Sequence, residues 1–181
     1  MEQRFRYHPG MHLAPGKKRH STEGVRLILL QRRAERFSAD RLDKAMQQAW
    51  KKEYDPQEFF AVAIPHDDGG ILHAYGAEIV IRYRDYAIDW KQLGRDAMPF
   101  WAEHTAHTMV DYRCAKRPTT DTRRQMYRGL AMLACELASL HTVGFCFPHE
   151  QVLLPHSVEV LAAFRTRGPL DPLALESLSE G

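Results

Sequence analysis

Ser38-Ala39-Asp40-Arg41-Leu42-Asp43-Lys44-Ala45-Met46-Gln47-Gln48-Ala49-Trp50 decides the fold class. Leu42, Ala45, Met46, Ala49 and Trp50 recur at the spacing of one helical face, and Ser38 is a hydroxyl residue suited to cap the first turn. A helix with one apolar face must rest it on another element. The run just before it, Val25 to Leu30 (VRLILL), is short, apolar and partly β-branched, and reads as a strand. A strand leading into an amphipathic helix opens a chain that layers helices on a sheet.

Reading onward extends that pattern. Phe59 to Ile64 is a second strand stopped by Pro65. Asp67-Asp68-Gly69-Gly70 is turn chemistry, and Ile71 to Tyr83 follows as one long alternating segment, with Ile79 and Ile81 on one side and Glu78 and Arg82 on the other. The two strands are expected to form an antiparallel hairpin. Trp90 to His104 reads as short helical pieces limited by Pro99. Thr105 to Cys114 alternates again, as a strand. Thr122 and Gln125 have capping-box spacing, and Met126, Leu130, Leu133, Ala134, Leu137 and Leu140 continue as a helical stripe as far as His141. Ala131, Cys135 and Ala138 widen that stripe. Val143 to Phe147 is a last strand closed by Pro148, and Ser157 to Arg165 a terminal helix.

The order predicts an α+β fold. Its expected form is a ferredoxin-like βαββαβ-type sandwich, a single sheet with helices mainly on one face, plus accessory helices. The other face of such a sheet needs a cover, which the tails, the short helices or a second subunit can supply. Residues 25–167 form one α+β domain in this reading. Residues 1–24 form a basic, Pro/Gly-rich N-terminal arm, and residues 168–181 a C-terminal tail.

Composition narrows the function classes. A chain of 181 residues with 44% hydrophobic and 27% charged residues is ordinary for a globular protein. It buries about two thirds of its unfolded surface without help from a metal or disulfide. Twenty-five basic residues against 23 acidic ones leave a net charge of +2, too small to imply a nucleic-acid or membrane partner by itself. Arg4, Arg6, Lys17, Lys18 and Arg19 interrupt the first stretch, which therefore does not read as a secretory leader. No segment reaches the roughly 18 apolar residues of a membrane span. Cys114, Cys135 and Cys146 show no CxxC spacing and read as reduced thiols, so the expected location is cytoplasmic.

Candidate chemistry starts from ten histidines. Glu103, His104 and His107, with Asp111 four residues on, have metal-ligand residue types at helical spacing. The order differs from the H-E-x-x-H of zinc proteases, and the stretch spans a predicted change from helix to strand, where positions three apart diverge. A metal-dependent hydrolase using these four residues is the alternative this cluster offers. His66, Asp67 and Asp68 sit at a turn after a strand, His141 at the end of a helix, and His149-Glu150 at the sheet edge after the last strand. No GxSxG elbow, GxxxxGK[ST] loop or GxGxxG loop occurs, no Cys carries a protease signature, and the adjacent Asp67 and Asp68 cannot flank one bond. No catalytic set and no cofactor are expected. Basic clusters at Lys17-Lys18-Arg19, Arg32-Arg33 with Arg36, Arg113 with Lys116-Arg117, and Arg123-Arg124 offer a second alternative, an RNA- or DNA-binding module. Tyr7, Phe37 and Tyr112 would be its stacking residues, but the signature strand of the common RNA-binding sheet is missing.

The stretch Trp101-Ala102-Glu103-His104-Thr105-Ala106-His107-Thr108-Met109-Val110-Asp111-Tyr112, followed by a helix of small residues and a short strand ending at Pro148, resembles bacterial proteins of domain-of-unknown-function family 4261. The likeness spans Phe59 to Pro155. Where that family has a proline-rich segment before the Trp, this chain has Met98-Pro99. The resemblance implies no catalytic residue.

The leading expectation is a non-catalytic binding protein acting through protein–protein contact, as an immunity or inhibitor protein against a toxin or an accessory subunit of a larger assembly. A homodimer is also open. Trp90, Phe100 and Trp101 are the expected interface anchors, because aromatic residues dominate interface energy.

Overall fold

The computed structural model describes residues 24–64, 69–74, 76–89, 102–113 and 118–166. Strand β1 (Val25–Gln31) leads to helix α1 (Ala39–Trp50), then to β2 (Phe59–Ile64), β3 (Gly69–Ala74), β4 (Ala77–Arg84) and β5 (Ala106–Arg113). Helix α2 (Thr120–Leu137), β6 (Thr142–Phe147), β7 (Val152–Pro155) and α3 (Val158–Thr166) complete the order. The strands form one open antiparallel sheet in the order β2-β3-β4-β5-β1-β6-β7. The class is α+β.

Local chemistry explains where the helices start. Ser38 is extended and its hydroxyl accepts the Arg41 N–H at 3.2 Å, and α1 ends at Lys51 in the left-handed region with φ 52°. Helix α2 is capped three residues earlier than the capping-box spacing predicts. Thr119 is the extended cap, its hydroxyl accepts the Thr122 N–H at 3.2 Å, and the helix stops at Leu137 rather than reaching His141.

The long alternating segment Ile71 to Tyr83 is two strands, not one. Gly76 adopts φ 81°, a left-handed conformation that glycine takes freely, in the reversal between β3 and β4. Alternation persists on both sides of the turn, which is why the sequence reads as continuous. The reversal places Leu72 opposite Ile79, both on the helix side. Strand β7 also escapes sequence reading. It has only four residues, ends in Pro155, and follows Gln151 at φ 53°. The expected Phe59–Ile64 hairpin forms as predicted, pairing Phe59 with Ala74 and Ile64 with Gly69. Of the expected helical pieces, residues 90–101 lie outside the described residues, and Ala102-Glu103 form a single tight turn.

Both helices that the sequence singles out lie on one face of the sheet, and α3 joins them. Leu42, Met46, Leu130, Leu133, Val160 and Phe164 meet Leu27, Leu29, Ile81, Val110 and Phe145 in one continuous core. Gly70 allows the close approach of α1, since a Cβ there would stand 2.7 Å from Leu42 Cδ1. Polar groups buried at the end of the core are paired: the Thr108 hydroxyl donates to Gln31 Oε1 at 2.9 Å, and Gln31 Nε2 and the Ser139 hydroxyl both donate to Glu35. Helix α2 and β5–β6 form a split crossover, because β5 and β6 flank β1 and both run opposite to it.

Leu42 is fully buried under the helix layer while Val62 on the other face is 45% exposed. Leu42→Ala is therefore expected to lower unfolding free energy by about 2–5 kcal/mol. Val62→Thr is expected to change it by no more than about 0.5 kcal/mol. Urea denaturation followed by circular dichroism measures both.

Candidate functional site

The face of the sheet opposite the helices is built from alternate residues of each strand. The register sets Arg26 opposite Asp111, Ile28 opposite Met109 and Leu30 opposite His107, with Val80, Arg82 and Arg84 beyond on β4. His73, Ile71, Phe60, Val62 and Ile64 continue that face across β3 and β2. Cys146 and Leu153 extend it in the other direction. Three zones of different chemistry result.

The middle zone is ionic. Asp111 accepts from Arg26 Nε at 2.5 Å and Arg26 Nη2 at 3.2 Å, and from Arg82 Nη1 at 3.1 Å. One carboxylate thus holds two guanidinium groups side by side. Arg84 donates to the Tyr83 carbonyl at 2.8 Å, and Arg113 pairs with Glu78 at 3.0 Å.

The second zone is crossed by a strap, Asp85 to Asp89, that leaves β4 and runs over β5 and β1. Two histidines fasten it. His107 Nδ1 donates to the Tyr86 carbonyl at 2.9 Å and its ring meets the Tyr86 ring edge-on, with centroids 5.3 Å apart. His104 Nε2 accepts the Ile88 N–H at 2.9 Å, which requires that nitrogen to be unprotonated. Ile88 then packs on Ile28, Leu30, Val143 and Cys146. Beside the strap lies a cavity of about 540 Å³ bounded by Arg26, Ile28, Tyr86, His107, Met109 and Pro148.

The third zone, on β2 and β3, is apolar and half-open. Phe60 stacks on His73 at 4.6 Å, and Val62, Ile64 and Ile71 stand beside them. Its edge is blunted. Phe59 exchanges both backbone hydrogen bonds with Asp55, and Asp43 Oδ1 accepts the Ala61 N–H at 2.6 Å. These outward-directed groups of β2 are thus already occupied. On the opposite edge, β7 is four residues long and ends in Pro155.

The structure separates the four residues of the candidate metal cluster. Glu103 pairs with Arg32 at 2.6 Å, Asp111 with Arg26 and Arg82, and His104 and His107 are each bonded to the strap backbone. Among the described residues no three His, Cys, Asp or Glu side chains come together as metal ligands do. The reason is the one the sequence raises: His104 precedes the strand, while His107 and Asp111 lie on its open face two ladder positions apart. Trp90, Phe100 and Trp101, as well as His66, Asp67, Asp68 and Cys114, lie outside the described residues.

The basic clusters do not merge into one surface among the described residues. Arg32 pairs with Glu103, Arg123 with Glu150 at 2.5 Å, and Arg124 with Asp121 at 3.7 Å. Glu150 of the His149-Glu150 pair is thus a structural anchor for α2. His141 lies four residues beyond the end of α2, and its carbonyl accepts the Arg32 N–H at 2.8 Å. Burial pushes the Cys135 thiol up to about 11 and the Cys146 thiol up to about 12, which keeps both unreactive at neutral pH.

Arg26, Arg82, Tyr86, Ile88 and Tyr127 carry much of this chemistry and are absent from the sequence candidates. A signal for one of them exists: Arg26 is the lone charge in VRLILL. Tyr127 has no such signal. Its fully buried hydroxyl has no hydrogen-bond partner among the described residues, and desolvation, reinforced by the nearby Glu150 carboxylate, pushes it up to about 12.

No protein-family model, no curated protein and no solved structure matches this chain. The arrangement of the face is therefore the ground for a functional reading.

Burial, followed by the nearby His104 and Arg84, holds His107 below the ordinary 6.5 despite its bond to Tyr86. The unfolded chain then binds more protons than the folded one as pH falls. Stability contributed by neutral His107 is complete above 6.5 and is lost as pH drops through the lowered value. The urea midpoint is expected to fall between about pH 7 and pH 5, and His107→Asn is expected to flatten that slope. A second expectation concerns the orphaned hydroxyl. Tyr127→Phe is expected to leave stability unchanged or raise it by about 1 kcal/mol, read from the same denaturation curves.

Proposed function

We propose that this protein is a non-catalytic binding module that covers another protein with the open face of its sheet. The observation that carries this reading is the half-open apolar zone of β2 and β3. Val62 is 45% exposed there, beside Phe60, Ile64 and Ile71 on one face. Monomeric proteins rarely leave a contiguous patch of that kind open without using it. Asp55, Asp43 and Pro155 block the sheet edges, which favours docking onto the face over addition of a strand.

The partner suited to this face is apolar where it meets β2–β3 and acidic where it meets Arg26, Arg82 and Arg84. That chemistry fits an immunity or inhibitor protein against a toxin, or an accessory subunit of a larger assembly. The same reading takes the fold as ferredoxin-like. Strands β4-β5-β1-β6 have the order and directions of a βαββαβ unit, with β2–β3 inserted after α1 and β7–α3 appended. Free Cys135 and Cys146 are in keeping with a cytoplasmic setting.

A photo-crosslinking residue at Val62 tests this in native cells, with the same residue at Arg128 on exposed α2 as control. Position 62 is expected to capture one protein species, and Phe60→Asp in the same chain is expected to reduce capture at least tenfold. Crosslinks only to a second copy, only to nucleic acid, or equally from Arg128 would overturn the reading.

A further inference from the structure

The strap divides the open face, and the cavity beside it has a chemistry distinct from that of the β2–β3 zone. We propose that this cavity is a binding site for a small amphipathic carboxylate, an acid with an aliphatic or aromatic body. This goes beyond the protein-docking reading and does not depend on it.

Size is the first ground. About 540 Å³ lies within the range of pockets that bury small molecules, and suits a ligand of about ten to fifteen non-hydrogen atoms. Composition is the second. Ile28, Met109 and Pro148 form an apolar floor, and Tyr86 with Ala87 and Ile88 forms a wall. Such a surface takes up a hydrocarbon body and gives it no orientation.

Orientation comes from the polar groups. Arg26 lines the cavity with its guanidinium held in place by the two-point bond to Asp111. Because Asp111 is shared with Arg82, its one charge neutralises only half of the pair. Arg84, next to His107 on the face, bonds the Tyr83 carbonyl and no carboxylate among the described residues. Against these stand Asp111 and the strap's Asp85 and Asp89; Asp89 lines the cavity and is itself engaged. The Arg26–Asp111–Arg82 trio therefore keeps one net positive charge beside the cavity, presented by a guanidinium that is already immobilised and loses little entropy on binding an anion. His107 contributes a second fixed group. Its Nδ1 is committed to Tyr86, which leaves Nε2 without a hydrogen bond among the described residues. Nε2 is then an acceptor for a donor on the ligand, or for a protonated carboxyl.

The strap ties the site to the rest of the fold. Tyr86, Ala87 and Ile88 are held by His107 and His104, so the wall is preformed rather than assembled on binding. Preformed apolar cavities with a few oriented polar groups are the usual architecture of small-molecule sites.

Octanoate and octan-1-ol, titrated into the full chain by isothermal calorimetry, test the charge requirement. Octanoate is expected to bind saturably, and at least about tenfold more tightly than the alcohol. Arg26→Gln leaves Asp111 paired with Arg82 and is expected to weaken octanoate about tenfold while leaving octan-1-ol unchanged. Met109→Trp fills the floor without altering charge, and is expected to abolish binding of both probes with an unchanged unfolding midpoint. Should Arg26→Gln fail to fold, the Met109→Trp comparison and the acid–alcohol difference still decide. Absence of saturable octanoate binding, equal affinity for acid and alcohol, or binding that survives Met109→Trp would overturn the proposal.

Discussion

Strand β1 is the constraint on which the remaining structure depends. It is hydrogen-bonded along both edges, to β5 and β6, and it is covered on both faces. Val25, Leu27 and Leu29 lie in the helix-side core, while Ile28 and Leu30 lie under Ile88 on the other side. A strand in that position cannot slip by one residue without exchanging two apolar sets and burying Arg26 in the helix layer. The register of the neighbouring strands follows. So does the meeting of Arg26 with Asp111.

From that register the two faces of the sheet acquire different roles. The helix side is closed: α1, α2 and α3 bury a continuous apolar layer whose polar members, Gln31, Thr108 and Ser139, bond to one another and to Glu35. The open side is graded across the strands, apolar and accessible at β2–β3, ionic at β4–β5–β1, and strapped toward β6. The described thiols are raised well above neutral pH by burial, Glu103 and Asp111 are committed to arginines, and both strap histidines are bonded to backbone. Titratable groups here are spent on holding positions.

The edges strengthen this contrast. An open sheet presents unpaired backbone groups at its ends and invites further strands. In this chain Asp43 reaches from α1 to the Ala61 N–H, Asp55 folds back on Phe59, and β7 ends at a proline. The Asp43 carboxylate and the Asp55 backbone thus occupy outward-directed groups of β2.

Local sequence pattern was enough wherever one residue type at one spacing has one meaning. Ser38 with Leu42, Ala45, Met46 and Ala49 specifies α1, and the apolar alternations specify β1, β2 and β5, because helical and strand periods demand incompatible spacings. Pattern was insufficient where two conformations share it. Residues 71–83 alternate through the turn at Gly76, Val152–Pro155 is too short to show a period, and Thr119 and Thr122 are both capable caps. The candidate site was legible only as separate residues. Asp111 was noticed as a metal ligand when its partners are Arg26 and Arg82, which lie 85 and 29 positions away along the chain. The sequence by itself determined α1, the body of α2, strands β1, β2, β5 and β6, and that helices cover one side. Tertiary structure alone decided strand order, and with it which charges meet, which groups fasten the strap and where a cavity remains, because contacts between distant residues are set by packing in space and leave no periodic trace in the chain.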